Sequence, residues 1–255
     1  MRDFALHRPR SLSEATAQFA GETEAAYLAG GHTLIPAMKS RLRMPDALVD
    51  LSGLGLAGIT REGDRLWIGA MTRHAEVAAG AVAIPSLACL AAGIGDPQVR
   101  NRGTLGGSVA NNDPAADYPA AVLALDALIE TDRATHGADD FFQGMFATAL
   151  AEGEIITRIG FRVPLKAAYA KFRHPASRYA IVGVFVAQFA AGWRVAVTGA
   201  GPGVFRWTDA EAALAARAEV QALASDDLNS DIHASADYRA HLCGVMLKQA
   251  LANLA

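Results

Sequence analysis

Strand-patterned and helix-patterned segments follow one another irregularly along this chain, without strict βαβ alternation, and that order points to an α+β fold. Ser11 and Glu14 have capping-box spacing, with Leu12, Ala15 and Phe19 on one helical face. Ala25 to Ala29 reads as a strand running into Gly30-Gly31-His32-Thr33-Leu34-Ile35-Pro36. Leu34, Met38 and Leu42 recur every four residues, which predicts a short helix stopped by Pro45. Ala47 to Leu51 is a second strand, and Ile59 to Ala70 a hairpin turned at Glu62-Gly63-Asp64. Leu87, Leu90, Ala91 and Ile94 mark a helix after Pro85, broken at Gly95-Asp96-Pro97. Asn111 to Pro119 is polar and turn-rich, Ala120 to Leu125 helical, and Ala127 to Thr131 and Ile155 to Pro164 extended. A new unit starts near Lys166: strands Ala180–Phe189 and Trp193–Thr198 join through Ala191-Gly192, and helices cover Asp209–Ala224 and Ser235–Leu254.

Composition narrows the class. A chain of 255 residues buries roughly 70–75% of its extended surface and needs no disulfide or structural metal. Hydrophobic residues at 52% and charged residues at 19% exclude wholesale disorder. A net charge of −3 leaves no footprint for nucleic acid or for a polybasic membrane anchor. The first residues lack a signal-peptide core, and the longest apolar run, Ala180 to Ala187, is far too short for a membrane span. The expectation is a soluble cytoplasmic protein. Cys89 and Cys243 can build neither a Cys₄ zinc site nor a thiolate-held iron–sulfur cluster, and they read as two buried free thiols.

The chemistry-bearing signals are two glycine clusters. Gly30-Gly31 lies between a strand and a helix, and Gly106-Gly107 lies between Thr104 and Ser108. Glycine permits close approach of backbone to ligand, and successive amides in such turns form anion nests. Two facing nests could hold the phosphates of a dinucleotide; each alone also reads as a tight turn. Gly53-Leu54-Gly55-Leu56-Ala57-Gly58 fits G-x-G-x-x-G, but a strand pattern rather than a helix follows it, so it is a plain loop. Asp113 and Asp117 read as a turn aspartate and a helix N-cap, ahead of a metal or acid–base pair. His32, His74 and His174 lack metal-ligand spacing. Lys39, Arg41 and Arg43 read as a solvated helix face; Lys171, Arg173 and Arg178 form a second small basic set. No catalytic residue and no metal ligand is singled out.

Ala29-Gly-Gly-His-Thr-Leu-Ile-Pro36 and Gly95-Asp-Pro-Gln-Val-Arg-Asn-Arg-Gly-Thr-Leu-Gly-Gly-Ser108, followed by Asn112-Asp-Pro-Ala-Ala-Asp-Tyr-Pro119, resemble loops of the FAD-binding medium subunits of the molybdenum hydroxylases, the xanthine dehydrogenase and aerobic CO dehydrogenase family. Asp140-Phe-Phe-Gln-Gly144 with Glu154-Ile-Ile-Thr157, Lys171-Phe172 with Ala180-Ile181-Val182, and Tyr238-Arg239 resemble further stretches in the same order. The resemblance implies a PCMH/vanillyl-alcohol-oxidase-type fold: an FAD-binding domain over 1–165, with subdomains of about 1–55 and 56–165, and a small C-terminal α+β domain over 166–255. It implies that Ala29, Gly30, Gly31, His32, Thr33 and Leu34 cradle the pyrophosphate, with Thr104, Gly106, Gly107 and Ser108 as an opposing nest. Asp117 would bond the adenosine part, Ile156 lie against the flavin, and Lys171 sit near the isoalloxazine. Two cysteines leave no room for the four-cysteine insert that some members carry. The implied role is the FAD subunit of a heterotrimer: a large subunit carries molybdenum-pterin, a small one carries 2Fe–2S clusters, and electrons leave from FAD to an external acceptor. A dimer of heterotrimers is the implied assembly. A stand-alone flavin oxidoreductase of the same fold, or a scaffold subunit without FAD, are the alternatives.

Overall fold

A computed structural model describes residues 2–254. The chain begins with strand β1 (Ala5–His7), helix α1 (Leu12–Ala20), β2 (Ala25–Leu28), α2 (Leu34–Lys39) and β3 (Ala47–Asp50). Ser11 caps α1 by accepting from the Glu14 amide, and the Glu14 carboxylate takes the Arg10 amide in return. β3 lies between β1 and β2, parallel to both. Its alternation explains the continuous apolar run: Val49 packs with Ala15 and Ile155 on one face, Leu48 with Ala26 and Met38 on the other. Helix α2 ends at Lys39, well before Pro45, because the chain turns with Arg41 in the left-handed region (φ 61). Leu42 is therefore left exposed rather than on a helical face.

The middle of the chain supplies β4 (Ile59–Glu62), β5 (Arg65–Gly69), α3 (His74–Gly80), α4 (Pro85–Ala92), α5 (Pro97–Arg100), α6 (Leu105–Asn111), α7 (Tyr118–Ala124), β6 (Leu128–Thr131) and β7 (Thr135–Gly137). They are followed by α8 (Ala138–Phe141), β8 (Phe142–Gly144), β9 (Ala147–Thr148) and β10 (Ile156–Arg162). Five strands form one sheet in the order β4-β5-β10-β6-β7, every pair antiparallel. Leu66, Ile68, Ile129, Ile159 and Phe161 carry its buried positions into a core shared with α3, α4 and α7. Gly53 to Gly58 is an irregular loop, as its strand-like sequel requires.

The last sheet runs β11-β12-β13-β14: β11 (Lys166–Arg173), β12 (Ala180–Phe189), β13 (Gly192–Thr198) and β14 (Phe205–Arg206), all antiparallel. Helices α9 (Thr208–Ala216) and α10 (Ala236–Ala252) cover one face. Period-two alternation splits this sheet between two cores. Val182, Val184 and Val186 face the terminal helices, whereas Phe185, Ala187 and Phe189 join the core of the middle region. α9 stops eight residues short of the expected Ala224, where Arg217 turns into the left-handed region (φ 55). Among the described residues, no helix is long and apolar enough to cross a membrane.

Both cysteines are free, but only Cys243 is buried; Cys89 is exposed on the outer side of α4. Burial pushes the Cys243 thiol up to about 12. A thiol reagent at neutral pH is expected to label one cysteine in the native protein and both after denaturation, with mass mapping placing the native label on Cys89.

Candidate functional site

A cavity of about 620 Å³ opens where the first sheet meets the middle region. Its walls come from the turn after β2, the start of α6, the loop into α7, the start of β10 and the β11–β12 hairpin. Ala29, Gly30, Gly31, His32 and Thr33 form the turn, and Leu34 opens α2. Thr104 is the N-cap of α6, and Gly106, Gly107 and Ser108 lie in that helix rather than in a turn. Asp117 stands at the N-cap position of α7, and Ile156 is the first residue of β10. All of these line the same cavity.

The glycines are there because backbone meets backbone. A Cβ on Gly30 would lie 2.3 Å from the Arg102 carbonyl oxygen and 2.8 Å from the Gly103 Cα. One on Gly106 would lie 2.5 Å from the Ala70 Cβ. Gly31 takes a left-handed φ of 76°, which lets the strand turn back into α2. A Cβ on Gly107 would fall 2.8 Å from Thr104 Oγ1 and 3.4 Å from the Ala29 Cβ, in the gap between the two glycine-bearing loops.

The two loops offer different chemistry. Among the described residues, no protein group accepts from the amides of Gly31, His32, Thr33 or Leu34. Four consecutive free donors at a cavity wall make an anion nest. The amides of Leu105, Gly106, Gly107 and Ser108 are instead taken by Thr72 O, Ala70 O, Thr104 Oγ1 and Thr104 O. The second cluster is therefore not a nest of free amides, which corrects the expectation for Gly106 and Gly107. It contributes close-approach surface, while the Thr104 hydroxyl, already accepting from Gly107, keeps its own proton to donate.

Asp117 and Lys171 differ from the expectation most. The Lys171 ammonium does not line the cavity. It lies 2.9 Å from Asp117 Oδ1 and donates to Asp117 Oδ2, Gly93 O and Arg178 O. The Tyr169 hydroxyl donates to Asp117 Oδ1 at 2.5 Å. Tyr169 and Lys171 sit two apart on β11, so both reach the same carboxylate. Burial raises the Asp117 carboxyl, opposed by Lys171 and by the hydrogen bonds it accepts. Burial also raises Tyr169 well above its ordinary range. Lys171 is thus a charge-balanced strut rather than a free cation. Asp113 is the turn aspartate expected, its Oδ1 accepting the Ala115 amide.

Three further wall residues are His74, excluded as a metal ligand by its spacing, Arg178, present only as part of a small basic set, and Tyr179, which the sequence does not single out. Tyr179 and Arg178 arrive on the hairpin between β11 and β12, where Arg178 adopts φ 64 and donates to Gly95 O. Nothing local in the sequence marks them; only the strand pairing brings them to the cavity. All three basic residues after the first turn are exposed, and of them Arg43 reaches the wall while Lys39 and Arg41 do not.

The fit to a dinucleotide is physical: free amides for an anion, Gly107 where a Cβ would fall in the gap, and an apolar flank at Ile94, Leu150, Ile155 and Ile156. Comparison with known proteins agrees. Residues 2–166 match the family described as the FAD binding domain in molybdopterin dehydrogenase. The carbon monoxide dehydrogenase medium chain of Hydrogenophaga pseudoflava is 35% identical over 97% of this chain and 96% of its own. The nicotine 6-hydroxylase medium subunit of Paenarthrobacter nicotinovorans is 34% identical over 95% and 94%. Among solved structures, the Hydrogenophaga pseudoflava carbon monoxide dehydrogenase matches with a TM-score of 0.90 at 34% identity, covering 98% of this chain and 96% of that one. Quinoline 2-oxidoreductase from Pseudomonas putida 86 matches with a TM-score of 0.89 at 27% identity, over 99% and 96%.

Removing one member of the buried pair leaves a charge without its partner. Asp117→Ala is expected to cost about 3 kcal/mol in urea unfolding, and adding Lys171→Met to that variant to restore most of the loss.

Proposed function

Because the chain belongs to the FAD-binding medium subunits of the molybdenum hydroxylase family and is an oxidoreductase subunit that takes FAD, we propose that it relays electrons within a heterotrimer. In this reading it accepts them from 2Fe–2S clusters of a small partner subunit and passes them to an external acceptor. A large partner subunit carries molybdenum-pterin and oxidises the organic substrate. The relatives support this, since they are chains of multi-subunit enzymes: a medium chain of carbon monoxide dehydrogenase, and subunit alpha of a 6-hydroxypseudooxynicotine dehydrogenase complex. The proposal places the complex in the cytoplasm as a dimer of heterotrimers, and divides the chain into an FAD-binding domain (1–165) and a C-terminal domain (166–255).

The observation that carries the reading is the asymmetric cradle. The free amides of residues 31–34 are proposed to hold the pyrophosphate, with the Thr104 and Ser108 hydroxyls opposite. Gly107 lets the ligand lie against bare backbone, while Gly30 and Gly106 let the protein's own segments meet behind it. Asp117 is proposed to serve the adenosine side, with a carboxylate already oriented by Tyr169 and Lys171. Ile156 offers apolar surface to the ring system. Lys171 acts here by holding Asp117 and the Arg178 carbonyl in place. Bound FAD supplies the redox chemistry, taking up and releasing electrons. No acid–base residue of this chain is assigned to an organic substrate.

The test is to purify the chain with whatever accompanies it, record the visible spectrum and identify the released flavin. FAD bands, iron–sulfur absorption and two further polypeptides are expected. FAD on a lone chain that turns over a small organic donor at an enzymatic rate would instead establish a stand-alone oxidoreductase. Gly107→Asp projects a carboxylate between Thr104 and Ala29. It is expected to lose flavin while keeping the wild-type circular dichroism spectrum; unchanged flavin content would remove this loop from the site.

A further inference from the structure

His74 belongs to none of the motifs that pointed to the cavity, yet its ring forms part of the wall. The residue is 5% exposed and opens α3, its amide donating to Gly103 O at 3.0 Å. The ring lies between Tyr118, at a centroid distance of 5.3 Å, and Gly103, where an added Cβ would sit 2.4 Å from His74 Nε2. Gly103 is also where Gly30 packs, so Nε2 reaches the joint of the two glycine-bearing loops. His74 Nδ1 is sealed from solvent with no hydrogen-bond partner, and the neighbouring Tyr118 hydroxyl is orphaned in the same way. Buried polar atoms are nearly always satisfied, so an orphaned nitrogen on a ring that lines a ligand cavity points to a change at that ring when the ligand arrives.

The two groups that act on the ring's charge have one sign. His32 faces it from the turn after β2, and Arg100 from the end of α5; α4, packed alongside α3, brings no charged residue. On its own helix, Glu76 is exposed and bonded back to the Arg73 amide. Burial first, then His32 and Arg100, push the imidazole down to about 4, so it is neutral near pH 7 without ligand.

We propose that His74 is an additional phosphate-contacting residue of the cavity, donating from Nε2 and taking up a proton when the FAD pyrophosphate occupies the glycine joint. The inference rests on the FAD reading above. An anion there offsets the field of His32 and Arg100 and favours the charged ring. The second proton goes to Nδ1, the ring nitrogen that no protein group engages. The sign follows from linkage: the ring binds more protons in the complex than in the free protein. FAD affinity therefore rises as pH falls through the window that begins above the unbound value of about 4.

Titration calorimetry of the flavin-stripped full-length chain with FAD, at about pH 6 in two buffers of different ionisation enthalpy, reads the protons taken up per FAD. His74→Gln keeps a donor but cannot titrate. Uptake is expected in the wild type and missing from the variant, whose affinity is about tenfold weaker at about pH 6 and nearly equal at about pH 8.5. Equal uptake in the two proteins would overturn the proposal and send the proton elsewhere. Histidine NMR of the wild type gives the same answer without a variant: an unchanged His74 titration on FAD binding would also overturn it. A wild-type chain that binds no FAD at any pH, either alone or with its partner subunits, would bring down the FAD reading itself, a result distinct from binding without His74-dependent uptake.

Discussion

The approach of Gly30 to the backbone of Arg102 and Gly103 is the constraint from which the cavity follows. At that joint a single methyl group would overlap a carbonyl oxygen, and neither side is a flexible side chain that could give way. The contact sets how far the first sheet stands from α6. It thereby fixes the width of the gap into which Gly107 opens. Gly106 against Ala70 repeats the device one layer deeper. The pattern A-G-G-x-x-x-x-P and its T-x-G-G counterpart are thus steric statements first and ligand statements second.

Charge is handled with similar economy. The buried Asp117 carboxylate is neutralised by Lys171 and hydrogen-bonded by Tyr169, tying the start of α7 to β11 beside the core that α7 shares with the last sheet. A buried pair of this kind adds little net stability but specifies position, because every alternative packing leaves a charge unpaired. By contrast, the free amides after β2 are left for a ligand to complete.

Much of this was legible in the sequence where the signal is local. Caps, the Ile59–Ala70 hairpin, the helix after Pro85 and both glycine clusters follow from spacing of a few residues. Helix ends were less readable: α2 and α9 stop where Arg41 and Arg217 turn left-handed, a conformation no residue type in those stretches advertises. Strand β11 and helix α3 carried weak patterns, being alanine-rich or short. The chemistry of the site was least legible. That the α6 amides are already engaged depends on Ala70 and Thr72, more than thirty residues upstream. Lys171 resembles a ligand residue by its motif, but its direction is decided by Asp117, fifty-four residues away. His74 gave no signal because its significance lies in what fails to face Nδ1.

The division of β12 between two cores has a consequence for how such a chain changes over time. Alternate residues answer to different neighbours: Val182, Val184 and Val186 to the terminal helices, Phe185, Ala187 and Phe189 to the middle region. Recombination that brought in the C-terminal segment of a relative would have to match both sets at once.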